Sequence, residues 1–427
     1  MFDISLKRED FISQYPPLNF LDKDEVKEIW KKDELHLYFH IPYCIHKCDF
    51  CYYKSYTSVH ALIPDEYVES LKAEVLLYST MPEIQTKIVR SIYFGGGTPS
   101  LLSEKQIESI LTCIRSSFKL AEDYELCFEA RPGPWTSDEK LKLLKSQGLT
   151  RLSIGCQSLD NEVLRTNGRH QTDTVFYKTY ERIRNAGIYS VNIDIMSGMV
   201  NQSLDSWLDT VKKVVALKPE NLTIYKMEVY LNSKLYKSLR KGEIVLISDK
   251  EEINYARKAY EMLLNYDYQF ADSFSFTRAP EYLHVQRYHT WKGADLLGIG
   301  VSSHSCCNGF VFQNELELSN YLNCISQKKL SIQRAHKISA REKMIQRVIF
   351  GIRKLKLDRS EFVDEFGIDI LQVFKDELNY LSKHGFIVIE PNYIRTTFEG
   401  SIFSEDIVRI FYLPNHREMM IAHAHRS

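Results

Sequence analysis

The sequence has no apolar run approaching the roughly 20 residues of a membrane-spanning helix, so a membrane partner is not expected. It has no excess of either charge: 55 Lys and Arg stand against 56 Asp and Glu, a net charge of −1. The electrostatic footprint of a nucleic-acid binder is therefore missing. The start, MFDISLKREDF, is too charged for a secretory signal. The nine cysteines lack the spacing of a disulfide framework, which fits the reducing cytoplasm. With 427 residues, the chain can hold a large catalytic domain and a smaller one.

What is present is a cysteine triad. Cys44, Cys48 and Cys51 lie in LYFHIPYCIHKCDFCYY, just after an apolar strand. Cys thiolates hold the irons of a [4Fe–4S] cluster, and a full set would be four. Three leave one iron open for chemistry, much as catalytic zinc sites keep one position free. A zinc knuckle completed by His40 or His46 is the plain alternative, but neither the repeated CxxC nor the distant His pair of zinc sites occurs.

From His36 onward short apolar strands alternate with amphipathic helices. Strands are expected at 36–42, 91–97, 124–130, 151–158, 189–198 and 221–229, with helices near 65–79, 103–118, 137–147, 172–186 and 203–217. Ser103 with Gln106 reads as a capping box, and Ser137 precedes an acidic first turn. Such alternation implies a parallel sheet, and six units fit a partial (β/α)6 TIM-type barrel. Chemistry then sits at the C-terminal strand ends, where the Cys loop, GGGTP (Gly95–Pro99), Glu129, Gln157 and Asp194 all fall. From about 338 the order helix, helix, helix, hairpin suggests a small winged-helix-like α+β domain. The expected division is an N-terminal segment 1–35, a catalytic domain 36–310 and a C-terminal domain 311–427. The close histidines of the tail HREMMIAHAHRS read as a frayed end.

Several residues carry chemistry at these strand ends. Gly95, Gly96 and Gly97 allow close backbone approach to a ligand. Glu129 can bind a ribose or an amino group, or stand solvated. Gln157 puts an amide where a buried strand should read apolar. Arg169 can pair bidentately with a carboxylate, or be a surface cation. Asp194 interrupts an apolar strand and needs a partner, for which a diol is suited. Tyr38 shares a strand face with His40.

The order CxxxCxxC, GGGTP, ExxP, RLSIGxQS, GRxH and NxDxMxG resembles the oxygen-independent coproporphyrinogen III oxidase-like (HemN-like) branch of radical S-adenosylmethionine (SAM) enzymes, from about Tyr15 to Asn308. The resemblance implies that Cys44, Cys48 and Cys51 bind a [4Fe–4S] cluster and that Phe50 lies beside the adenine. It implies that Gly96, Gly97, Thr98, Glu129, Gln157, Arg169 and Asp194 hold SAM. It further implies reductive cleavage of SAM to a 5′-deoxyadenosyl radical, fed by an electron donor such as flavodoxin or ferredoxin.

The chain departs from the decarboxylases of that branch. Tyr53 stands where they carry a further Cys, and their E-x-N-P reads Glu129-Ala130-Arg131-Pro132. Their G-V-Q reads Gly155-Cys156-Gln157, and the glycine-rich end motif reads GVSSHS with Cys306 and Cys307 adjoining. The haem-chaperone motif is reduced to Tyr288-His289-Thr290-Trp291. SQYPPLNF resembles the decarboxylase N-terminal motif around its Tyr-Pro pair. The expectation is therefore alkylation, by methylation or cyclopropanation, of an unsaturated small molecule with a second SAM. Tyr38, Arg131, Cys156 and His304 are the catalytic candidates, with Ser302 and Ser303 as further lining. The alternatives are oxidative decarboxylation of porphyrinogen propionates and a haem-handling protein with His289 as its ligand.

Overall fold

The computed structural model describes residues 14–18, 33–57, 62–231, 233–307 and 309–417. Most of the expected N-terminal segment, and His423 and His425 of the tail, lie outside them. Six parallel strands form the centre: β1 (Glu34–Ile41), β2 (Ile88–Gly96), β3 (Lys119–Ala130), β4 (Arg151–Gln157), β5 (Val191–Ser197) and β6 (Asn221–Lys226). They neighbour one another in chain order within a twelve-stranded sheet. Helices α1 (Asp65–Ser79), α2 (Glu104–Ser117), α3 (Asp138–Ser146), α4 (Asp173–Asn185) and α5 (Leu204–Ala216) connect them. Each expected strand and helix is found, and the α/β partial-barrel expectation holds.

Strand alternation sorts the sheet into an apolar outer face and a polar interior. Side chains along β1 point alternately to opposite faces. Leu35, Leu37, Phe39 and Ile41 are fully buried in the main apolar core. His36, Tyr38 and His40 take the other face, where His36 Nδ1 meets Ser91 Oγ at 2.8 Å and Tyr38 stacks on Tyr93. Helix starts follow the sequence signals: Ser103 and Gln106 form a reciprocal capping box, and Ser137 accepts from the Lys140 N–H.

The sheet extends beyond the six units. Asp295–Ile299 lies parallel to β1 on its other side. His304–Cys307, Phe310–Asn314 and Ile332–Lys337 then continue antiparallel to that edge. Phe312, Tyr321, Ile325 and Ala335 belong to the barrel core, whereas a second core gathers residues from Ile345 to Tyr412 together with Tyr15 and Trp291. Residues 311–337 are drawn into the barrel because their strands complete its edge.

The C-terminal elements run helix (Ala340–Arg353), short strand (Lys356–Asp358), helix (Arg359–Phe366), two further helices (Ile370–Val373 and Lys375–Lys383) and a hairpin (Ile387–Ile389, Tyr393–Thr396). Tyr15 is fully buried in this second core. Its backbone oxygen accepts from Gln346 Nε2 at 2.9 Å, and its hydroxyl accepts from the Leu413 N–H at 3.2 Å. The Tyr-Pro segment thus ties the chain start to the C-terminal domain. No helix among the described residues is long and apolar enough to cross a membrane.

Candidate active site

The three cysteines follow β1 in a loop tied to its surroundings through Asp49. The Asp49 N–H donates to Asn167 O at 3.2 Å and Asp49 O accepts from the Leu235 N–H at 2.8 Å. Cys44 and Cys51 feel the charge of Cys48, and Cys51 that of Cys44. Burial raises the Cys44 thiol and pushes Cys51 up to about 12. Without a metal the Cys44 and Cys51 sulfurs would stay protonated, whereas thiolates are the ligands a metal needs. Thr98 Oγ1 donates to Cys44 Sγ at 3.4 Å, and Arg169 Nη1 lies 3.6 Å from Cys48 Sγ. Among the described residues no group of three or more His, Cys, Asp or Glu is gathered as a single ion requires. A four-iron cluster seats each thiolate on a different iron.

The glycines beside the loop are there for space. A Cβ on Gly97 would lie 2.7 Å from Tyr43 O, 2.8 Å from Ile41 O and 3.0 Å from Cys44 Sγ. Gly96 has φ +108°, in the region that favours glycine, and a Cβ there would meet the His40 ring at 2.6 Å.

Glu129, at the end of β3, receives the Tyr93 hydroxyl at 2.6 Å and the Gly96 N–H at 3.1 Å. Burial pushes its carboxyl up to about 7 despite these donors. Asp194 on β5 is also raised by burial. It accepts from Ser153 Oγ at 3.0 Å and Asn192 Nδ2 at 2.8 Å. Gln157 ends β4 at a bulge with φ +69°, and its Oε1 is buried without a partner. Bulges re-aim side chains at functional sites. Arg169 donates to Gly155 O, and its Nε has no partner. Arg131 Nε is likewise unpartnered, and its electrostatic neighbours are Arg169, Cys48 and Cys44.

Phe50 packs against Val163, Met199, Val200, Met227 and Leu235, a small separate apolar cluster suited to a flat ring. Tyr38 bonds His40 Nδ1 at 3.1 Å, and its ring lies 6.4 Å from that of His304. Burial holds both His40 and His304 near 4, so both are neutral at pH 7.

Other candidates fall elsewhere. Cys156 is fully buried in the main core, with Sγ donating to Ser158 O at 3.4 Å. Alternation on β4 turns Gly155 and Gln157 inward and Cys156 outward, so Cys156 does not face the site. Ser303 closes its own loop, donating to Gly300 O at 2.7 Å, and Ser302 is held by Glu315 O. Cys307 donates to Leu296 O at 2.8 Å inside the core, and Cys306 Sγ meets Gln346 Nε2 at 3.6 Å. His289 sits on the helix Val285–Thr290, 5.4 Å from the ring of His36 near the start of β1. That is the opposite barrel end from the cysteines.

Sequence reasoning missed Tyr93, Ser153 and Asn192, which hold the two carboxyls, and the Met199–Met227 slot. The polar residues alternating within otherwise apolar strands were the available signal for the first three.

The donor set fits an iron–sulfur cluster with a polar, partly cationic ligand. Cys44 and Cys48 lie beside two buried guanidiniums, and Gln157, Arg131 and Arg169 each keep an orphaned buried atom. The sequence matches the Radical SAM superfamily over residues 38–214. It is 26% identical over 384 residues to the heme chaperone HemW of Bacillus subtilis, covering 88% of this chain and 98% of that protein. It is 27% identical over 393 residues to the oxygen-independent coproporphyrinogen III oxidase of Salmonella typhimurium, covering 88% and 85%. The solved coproporphyrinogen III oxidase (HemN) from Escherichia coli superposes with a TM-score of 0.82 at 24% identity, covering 95% of this chain and 99% of that one, and shows the shared fold.

These relatives are named as oxidases and heme chaperones, and none as a methyltransferase or cyclopropanase. That overturns the alkylation expectation. The departures on which it rested are local: Cys156 is core, and Ser302 and Ser303 are loop packing. The radical SAM domain implies a [4Fe–4S] cluster and SAM. Residues 38–214 thus match a radical SAM domain, and over most of its length the chain is similar to the HemN and HemW proteins.

Proposed function

We propose that this chain is a radical SAM oxidoreductase that decarboxylates propionate side chains of a porphyrinogen, as the relatives named coproporphyrinogen III oxidase do by name. The observation that carries this reading is the assembly of Glu129, Gln157 and Asp194 on successive strands with Arg169, which reaches the cysteine loop at Cys48. Simple carriage of haem would not need two buried, chargeable carboxyls above a cysteine triad.

A cluster bound there would supply the one-electron reduction on which radical SAM chemistry depends. Cys44, Cys48 and Cys51 would hold the cluster, with Thr98 donating to Cys44. Gly96 and Gly97 let the backbone approach the ligand. Glu129 would accept from its ammonium or a ribose hydroxyl, and Asp194 from a diol. Gln157 and Arg169 offer their free amide oxygen and guanidinium edge, and Phe50 with Met199 and Met227 gives an apolar slot for adenine. Tyr38 and neutral His304 can offer hydrogen bonds to a substrate carboxylate without adding charge. A flavodoxin or ferredoxin would supply the electron in the cytoplasm.

The test is anaerobic turnover of reconstituted protein with dithionite, SAM and coproporphyrinogen III. Matching formation of 5′-deoxyadenosine and CO2, lost in Cys51→Ala, is the expected result. Deoxyadenosine without CO2 would reject the substrate. Stoichiometric haem binding with no deoxyadenosine would replace the enzyme reading by that of a carrier.

A further inference from the structure

Arg131 is two residues beyond Glu129 and only 8% exposed. Its backbone is pinned on both sides: the N–H donates to Ser100 Oγ at 3.1 Å and the carbonyl accepts from Thr136 Oγ1 at 2.8 Å. The guanidinium carbon lies 6.0 Å from the centre of the Trp135 ring. Nothing in this frame supplies a negative charge. Its Nε has no hydrogen-bond partner, and no ion pair forms to it among the described residues.

The charged and chargeable groups around it are Arg169, Cys48, Cys44 and His46. Arg169 is itself only 9% exposed and reaches Cys48 Sγ at 3.6 Å. Two guanidiniums are thus buried together with no carboxylate between them. An uncompensated buried cation is strongly unfavourable, and a second one beside it more so. Ionised sulfur is the compensating charge the site can provide, because metal binding converts thiols to thiolates.

We propose that Arg131 is a positioning residue for the iron–sulfur cluster: with Arg169 it sets a second fixed cation beside Cys44 and Cys48 and makes the cluster easier to reduce. The inference rests on the cluster reading above. Reduction adds one electron from an external donor, dithionite or a flavodoxin, to a group already carrying three thiolates. A fixed cation in a site of low dielectric favours that added negative charge, and nearby charge and hydrogen bonds to sulfur set cluster potentials.

The experiment compares the wild type, Arg131→Gln and Arg131→Lys after anaerobic reconstitution, by iron and sulfide content and by mediator-controlled titration of the reduced-cluster electron paramagnetic resonance signal. Arg131→Gln is expected to lower the reduced-to-oxidised ratio at fixed potential about tenfold, roughly 59 mV for a one-electron couple. Arg131→Lys should stay close to the wild type. Loss of iron in Gln but not in Lys would equally support charge compensation. An unchanged midpoint in Arg131→Gln with full iron overturns the proposal, as does an equal shift or an equal loss of iron in both variants. A wild type that assembles no cluster removes the cluster reading, and this inference with it.

Discussion

Tyr93 donates its hydroxyl to Glu129 Oε1 at 2.6 Å, while the Gly96 N–H takes Oε2 at 3.1 Å. The pair holds the carboxyl of β3 over the glycine turn of β2. A hydrogen bond to a charged group is worth about 1.5–3 kcal/mol, and about 1.4 kcal/mol is tenfold in affinity. Tyr93→Phe should therefore weaken SAM binding roughly tenfold to a hundredfold in anaerobic calorimetry. Unchanged affinity would take Glu129 out of the ligand set.

SAM binding should depend on pH through the same carboxyl. Burial lifts Glu129 to about 7 from an ordinary 4.5, so much of it is protonated at neutral pH. Accepting from an ammonium or hydroxyl requires the ionised form. Affinity is expected to rise as pH rises through about 7 and then to level off. Glu129→Gln should bind more weakly and lose that step; a wild-type affinity flat across this window would contradict the assignment.

Glu74, fully buried on α1, governs stability rather than chemistry. It accepts from the Gly300 N–H at 2.8 Å, Asn314 Nδ2 at 2.6 Å and the Tyr321 hydroxyl at 2.8 Å. Burial raises it from 4.5 to about 7. Between those values the folded state keeps a proton that the unfolded chain releases, so stability falls as pH rises. The contribution is fully present below about 4.5 and lost through about 7, roughly 3 kcal/mol at about 1.36 kcal/mol per pH unit. Melting curves at about pH 5 and about pH 8 should show this slope in the wild type, and a shallower one in Glu74→Gln. Glu74→Ala leaves three donors without their acceptor, each worth about 1–3 kcal/mol. It should melt several degrees lower at both pH values.

Gly97→Ala tests the space beside the cysteine loop. The new methyl would press on Tyr43 O and Ile41 O, both backbone atoms, and on Cys44 Sγ. Overpacking of this kind costs about 1–3 kcal/mol, and the loop is the part that yields. Far-ultraviolet circular dichroism should match the wild type while iron retained after reconstitution falls well below it. Full iron retention would show that the loop accommodates the methyl.

Much of the barrel was legible in the sequence because its signals are local. Period-two apolar strands and capped amphipathic helices are decided by neighbours a few residues apart, so the borders of α1 and the capping box of Ser103 were readable. Cys44, Cys48 and Cys51 were readable because their spacing lies within one short stretch of chain. That Phe310–Asn314 and Ile332–Lys337 extend the barrel sheet was not, because the run of strands they belong to reaches the barrel only where Asp295–Ile299 pairs with the distant β1.

By itself, then, the sequence determined the element order, the cysteine triad and the set of polar residues at strand ends. Tertiary structure decided which of them meet. It turned Cys156 into the core through the alternation of β4, and sent Tyr15 into the C-terminal core. It put His289 at the far barrel end, near His36. It brought Tyr93, Ser153 and Asn192 to the carboxyls of Glu129 and Asp194, and left Arg131 beside Arg169 with sulfur as the charge to balance them. Such outcomes depend on sheet register and on the burial of charge, which arise only when segments far apart in the chain close around one interior.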